Sequence, residues 1–247
     1  MENILIYAPA RSGTSRLTVA LKQALGLKKK DVAFEPFKPR RRKNFPGSDL
    51  AGQVAAIYDR HGLVKHLWNQ VPPDENKAIV TAPAVDKIIF LYRRALFAQA
   101  MSRRLSVTTG QWGRLGDARK TTCFIRPDEV ETQIQFFLYS LEYNLRLVMA
   151  APAPVCVVCY EHLYHSRAVV RRQVINRLSA FLTQHLSVGH MMNHTSPDNK
   201  YKPADHYWQA VENYADLVRK FRHWDDFLNK YPDLLPESIM EGDHANG

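Results

Sequence analysis

Ile4-Leu-Ile-Tyr-Ala-Pro-Ala-Arg-Ser-Gly-Thr-Ser15 switches pattern halfway along its length. Ile4 to Tyr7 is a short apolar run that breaks at Ala8-Pro9. A helical pattern starts near Thr14: Leu17, Leu21 and Leu25 recur at four-residue intervals, and Gly26 follows as a natural stop. The segment therefore predicts a strand, a tight loop and a helix. Such a unit presents backbone N–H groups and a helix N-terminus to an anion.

The same alternation continues along the chain. A second strand is expected just before Phe34-Glu-Pro-Phe37, and residues 49–60 have a helical pattern. Leu63 to Trp68 and Lys87 to Tyr92 read as strands. The latter runs into a helix whose buried face carries Phe97, Met101 and Leu105. Pro127-Asp-Glu starts a long helix to about Met149, with Ile134, Phe137, Leu141 and Leu145 on one side. Val155 to Tyr160 is a further buried strand, and a helix from about 168 to 186 turns Val170, Val174, Leu178, Phe181 and Leu182 inward. Residues 187–202 read as a polar loop, and a final helix is expected over roughly 204–223. Strands alternating with helices imply an α/β fold with a central parallel sheet covered on both faces. Ligands of such sheets lie beyond the carboxyl ends of the strands, which points to the loops after residues 4–7 and 87–92.

Length and composition agree with one α/β domain over residues 1–247, with a flexible tail expected from about 236. No stretch reaches the roughly 20 apolar residues of a membrane helix. The first residues lack the charged start and cleavage site of a secretory signal, so a cytoplasmic location is expected. Three cysteines suggest no disulfide framework. Cys156 and Cys159 form a CxxC inside a buried strand, without the second ligand pair a zinc site needs, and no metal is expected. The net charge of +10 implies a polyanionic ligand, acceptor or surface. The basic run Lys38-Pro-Arg-Arg-Arg-Lys43, with Asn44-Phe-Pro-Gly47 after it, reads as an exposed loop that can draw an anionic acceptor toward Glu35. Few aromatics interleave with it, so no nucleic-acid partner is expected. Nothing in the sequence assigns an oligomeric state.

The loop after the first strand superficially resembles a nucleotide-binding P-loop, GxxxxGK[ST]. Ala8 replaces the first glycine, however, and Thr14 occupies the lysine position. The cation sits instead at Arg11, two residues before Gly13. Arg11-Ser-Gly-Thr-Ser15 resembles the 5′-phosphosulfate loop of sulfotransferases, which use 3′-phosphoadenosine-5′-phosphosulfate (PAPS). Tyr92-Arg-Arg-Ala-Leu-Phe-Ala-Gln-Ala-Met-Ser102 resembles that family's 3′-phosphate segment, with Arg94 and Ser102 eight residues apart and Arg93 as an alternative ligand. Gln99-Ala-Met-Ser102 followed by Thr109-Gly-Gln-Trp112 is similar to the bacterial trehalose 2-sulfotransferase-like branch, and Tyr160-Glu-His-Leu163 with Phe181-Leu182 to a YExL…FL segment of many sulfotransferases. Glu161 in that segment reads as a structural carboxylate. The resemblance covers residues 4–26, 60–112 and 155–185 and is thin elsewhere. Two departures stand out: Ala95 replaces an acidic residue common in relatives, and the loop cation is arginine, a fixed charge that does not donate a proton readily.

The resemblance implies a P-loop-like central sheet in the sulfotransferase fold. It implies PAPS as sulfuryl donor, bound by Arg11, Ser12, Gly13, Thr14 and Ser15 at the 5′ end and by Arg94 and Ser102 at the 3′-phosphate. The late stretch His194 to Pro203 is similar to a cofactor-covering segment, which would bring Lys200 or Lys202 to a phosphate. A small-molecule or glycan acceptor is implied by the sugar-modifying branch, and the net charge of +10 suits an anionic one. Glu35, which precedes Pro36, is the first candidate for the base that takes the acceptor's proton, and His66 the second. Lys65 beside it is a candidate for binding acceptor or sulfate. The alternatives are an atypical P-loop phosphotransferase, lacking the usual lysine after Gly13, and a basic protein that binds nucleic acid without catalysis.

Overall fold

The computed structural model describes residues 2–47, 49–110, 122–183, 185–196 and 210–230. It is an α/β protein whose five strands form one all-parallel sheet: β1 (Ile4–Ala8), β2 (Val32–Phe34), β3 (Leu63–Leu67), β4 (Lys87–Tyr92) and β5 (Val155–Cys159), in the order β2-β3-β1-β4-β5. β1 is central. The chain leaves it to one side for β2 and β3, then crosses it to β4 and β5. This reversal puts the topological switch of the sheet at β1. All residues of β1, β3 and β4 are buried, as expected of strands covered on both faces.

The chain divides into two compact units, residues 1–92 with 143–199, and residues 93–142 with 200–247. The first unit holds the sheet. Helix α1 (Thr14–Ala24) lays Leu17, Ala20 and Leu21 on it, and Gly26 at φ 66° ends that run. The unit also contains α2 (Pro39–Arg42), α3 (Leu50–Tyr58) and α4 (Pro73–Val80). The second unit contains α5 (Leu96–Thr109), where Phe97, Met101 and Leu105 are buried as their spacing predicts. It also holds the first part of α6 (Pro127–Met149), on which Ile134, Phe137, Leu141 and Leu145 are buried. Beyond β5, the first unit continues with α7 (Tyr160–Leu163), α8 (Ala168–Phe181) and α9 (Val188–Thr195). The second adds α10 (Tyr214–Phe221) and α11 (Phe227–Lys230), separated by a 3-10 turn at Arg222–Asp225.

Four sequence expectations need correction. Residues 188–195, read as loop, form α9: Met191 and Thr195 are buried in a cluster shared with α1 and α8, and that packing holds a helix too short to stand alone. Helix α8 ends at Phe181, not 186, because Leu182 turns extended; Leu182 and Leu186 still reach the core. The basic run is not wholly loop, since Pro39 fixes the first position of a helical turn. The final helix is shorter than expected within the described residues, beginning at Tyr214. Lys200, Lys202, Gln111, Trp112, residues 204–209 and the tail from 236 lie outside the described residues.

Candidate functional site

Among the described residues, two that are not glycine have left-handed backbone, Arg11 at φ 65° and Glu35 at φ 55°. Each costs about 1–2 kcal/mol relative to ordinary backbone, and such strain concentrates where a site needs it. They follow the carboxyl ends of β1 and β2, which are separated in the sheet by β3 alone.

The Arg11 loop curls because Arg11 and then Gly13 (φ 76°) both turn left-handed before α1 begins. No side chain caps α1; the Arg16 and Leu17 N–H groups donate to the Gly13 carbonyl at 3.0 and 3.1 Å, which leaves those of Thr14 and Ser15 without a side-chain cap. Alternating backbone of this kind, at a helix start, aims N–H groups into a shared concavity suited to an anion. Gly13 is required twice over. A Cβ there would lie 2.6 Å from Cε2 of Tyr160 and 2.9 Å from Cε2 of Tyr164, in addition to the backbone cost. The Tyr164 hydroxyl donates to the Gly13 carbonyl at 3.1 Å, and the Arg16 guanidinium stacks 4.6 Å from the Tyr164 ring centre. Arg16 also donates to the carbonyls of His194 (2.7 Å) and Ser196, tying the end of α9 to the first turn of α1. Ser12 and Thr14 are buried, and the Ser12 hydroxyl donates to the Pro9 carbonyl at 2.8 Å. The Ser12 side chain therefore helps hold the loop together, while Ser15 is exposed.

The Glu35 N–H donates to the Lys65 carbonyl at 2.7 Å, continuing the β2–β3 ladder one residue beyond Phe34↔Lys65. The left-handed turn then ends the strand. The carboxylate is held by three donors: Lys38 at 2.5 Å, Lys65 at 2.7 Å and Gln70 Nε2 at 2.9 Å. Burial pushes its pKa up, but the bonds from Lys38 and Lys65, the Lys65 charge and the Gln70 amide outweigh that and hold it at about 2. Lys65 is only 3% exposed. Its ammonium also donates to Ser15 Oγ at 2.8 Å, so one buried cation joins the anion loop to Glu35. Burial lowers the Lys65 pKa, and Glu35 opposes that.

His66 is enclosed completely, between the Tyr7 and Phe37 rings. Asn76 Nδ2 donates to the carbonyls of Trp68 and Val71, which leaves Asn76 Oδ1 to accept from His66 Nε2 at 2.9 Å. The imidazole is therefore neutral with its proton on Nε2, and burial lowers its pKa to about 4. His66 Nδ1, Trp68 Nε1, Asn69 Oδ1 and Gln70 Oε1 are buried and have no hydrogen-bond partner among the described residues.

The basic run is largely engaged. Lys38 pairs with Glu35, Arg41 donates to the Phe34 carbonyl, and Arg42 makes a two-pronged pair with Glu75 at 2.6 and 2.9 Å. Arg94 lies two residues past the last residue of β4, and Ser102 is buried on α5, both in the second unit. Glu161 accepts a weak bond from the Cys159 thiol at 3.3 Å. Sequence reasoning named Ser15, Glu35 and Lys65 but not the bonds from Lys65 to the other two, and it missed Gln70 and Lys38 as partners of Glu35. The Phe34↔Lys65 register that makes the link appears only when β3 is inserted between β1 and β2.

The chain matches no protein-family model and no curated protein. No helix among the described residues is long and apolar enough to cross a membrane.

Proposed function

We propose that this chain is a sulfotransferase that moves a sulfuryl group from PAPS to a hydroxyl of a carbohydrate or glycolipid. The observation that carries the reading is the Ser15–Lys65–Glu35 connection, which joins an anion-binding loop to a carboxylate across one buried ammonium. The loop fits the phosphosulfate end of such a donor. It offers left-handed backbone at Arg11 and Gly13, an uncapped helix start, and a Ser15 hydroxyl that accepts from Lys65 and keeps its own hydrogen to donate. The donor supplies an activated sulfuryl group. Arg11 contributes a fixed positive charge and the loop N–H groups contribute dipoles where negative charge develops. Glu35, ionised throughout the working pH range, takes the proton of the acceptor hydroxyl. His66 is assigned no proton transfer, because it is sealed between rings and spends Nε2–H on Asn76. Arg94 and Ser102 are assigned the 3′-phosphate on the sequence resemblance alone.

The test is calorimetric titration with 3′-phosphoadenosine-5′-phosphate (PAP), with ATP–magnesium in parallel. The expected result is micromolar or tighter binding of PAP without magnesium, lost in Arg94→Ala. A preference for ATP–magnesium would make the chain a phosphotransferase, and binding of neither would remove the assignment.

A further inference from the structure

Lys65 has two obligations and three hydrogens. Its ammonium donates to Ser15 Oγ and to Glu35 Oε1, which leaves one N–H uncommitted. The side chain is 4% exposed, so water screens its charge weakly, and whichever anion is nearest holds it strongly. Glu35 is that anion here. An anion seated on the Arg11–Ser15 loop would meet the Ser15 hydroxyl, and Ser15 is already in contact with Lys65. Loop anion and Glu35 therefore compete for one buried cation.

We infer that Lys65 is a positioning residue that couples the two halves of the site: an anion on the loop draws the ammonium from Glu35, and Glu35 becomes a stronger proton acceptor when the donor is bound. This inference rests on the sulfotransferase reading and adds an order of events to it. With the loop empty, three donors quench the carboxylate, and its pKa near 2 makes it a weak base. With the loop filled, Lys38 and Gln70 remain on Oε2 while Oε1 is released to face the acceptor hydroxyl. The proton then moves from that hydroxyl oxygen to Glu35 Oε1. Coupling of this kind is reciprocal: if the anion weakens the Lys65–Glu35 pair, that pair must weaken anion binding by the same factor.

Reciprocity gives the test. PAP is titrated calorimetrically at pH 8 into the wild type, Glu35→Gln, Lys65→Met and the double variant, each checked for cooperative melting. Glu35→Gln is expected to bind PAP more tightly, on the order of tenfold, because Lys65 is freed. Lys65→Met is expected to bind more weakly, and the double variant to match Lys65→Met. Equal tightening by Glu35→Gln in both backgrounds would reduce the effect to charge repulsion and overturn the coupling. Unchanged or weaker binding by Glu35→Gln overturns it too, even if Lys65→Met fails to fold. Failure of the wild type to bind PAP at all overturns the sulfotransferase reading itself.

Discussion

The sheet buries two lysines, one on each strand that flanks β1. Lys87 begins β4 at the amino edge, 8% exposed. It pairs with Glu2 at 2.9 Å, donates to the Phe181 carbonyl at 2.7 Å and lies over the Phe181 ring. Lys65 is the middle residue of β3 and faces Phe34, the last residue of β2; it is 3% exposed and pairs with Glu35 at 2.7 Å. Residue type, burial and partner type are the same. The surroundings differ. Lys87 is bonded to a main-chain carbonyl and to Glu2, neither of them on left-handed backbone. Lys65 is bonded to a hydroxyl on a strained anion loop and to a carboxylate on strained backbone, next to polar atoms with no partner. A buried ion pair is thus weak evidence of function by itself; its place on a parallel sheet and the strain around its partners carry the argument.

The comparison breaks first on the two glutamates. Glu35→Gln is expected to lower sulfuryl transfer from PAPS, assayed against a carbohydrate panel, by about 10²–10⁴-fold. Glu2→Gln should leave it within about twofold of the wild type. Equal losses would mean that both pairs serve stability alone.

Acid sharpens it next. The buried His66 has a pKa near 4 when folded against 6.5 unperturbed, so the unfolded chain takes up the proton first. Its contribution is complete above pH 6.5 and is lost as the pH falls toward 4, with no further loss below that. The shift corresponds to about 3 kcal/mol. Urea unfolding at pH 7 and pH 4.5 measures it, and His66→Gln is expected to flatten the difference. A wild type equally stable at both pH values would mean that the imidazole is not sealed.

The smallest effect separates the lysines directly. Lys87→Met should cost about 1–2 kcal/mol of stability, because Glu2 can return to water, and should leave PAP affinity unchanged. Lys65→Met is expected to reverse that pattern, losing affinity more than stability, since Glu35 keeps Lys38 and Gln70.

The architecture was legible where periodicity was strong. The β1–α1 unit, β3, β4, α5, α6 and β5 follow from apolar spacing that local sequence carries in full. Helix α9 was not, because His190, Asn193 and His194 interleave with Val188, Met191 and Met192 over two turns, and the helix exists through packing on α1 and α8. The tight turn into α1 was legible at Gly13, because glycine adopts its φ of 76° without cost; the left-handed Arg11 was not, because arginine leaves no mark of such a turn. The Lys65 link was not. It joins residues 30 and 50 positions apart through strand order, which no local pattern encodes.

Arg11 and Glu35 hold backbone that glycine would occupy without penalty. At 35, however, glycine would also strip the Lys65 ammonium, 3% exposed, of its carboxylate and leave a buried charge unpaired. Relief of strain and loss of the ion pair thus pull in opposite directions at that position, so the glutamate is kept by its partner and not by its backbone.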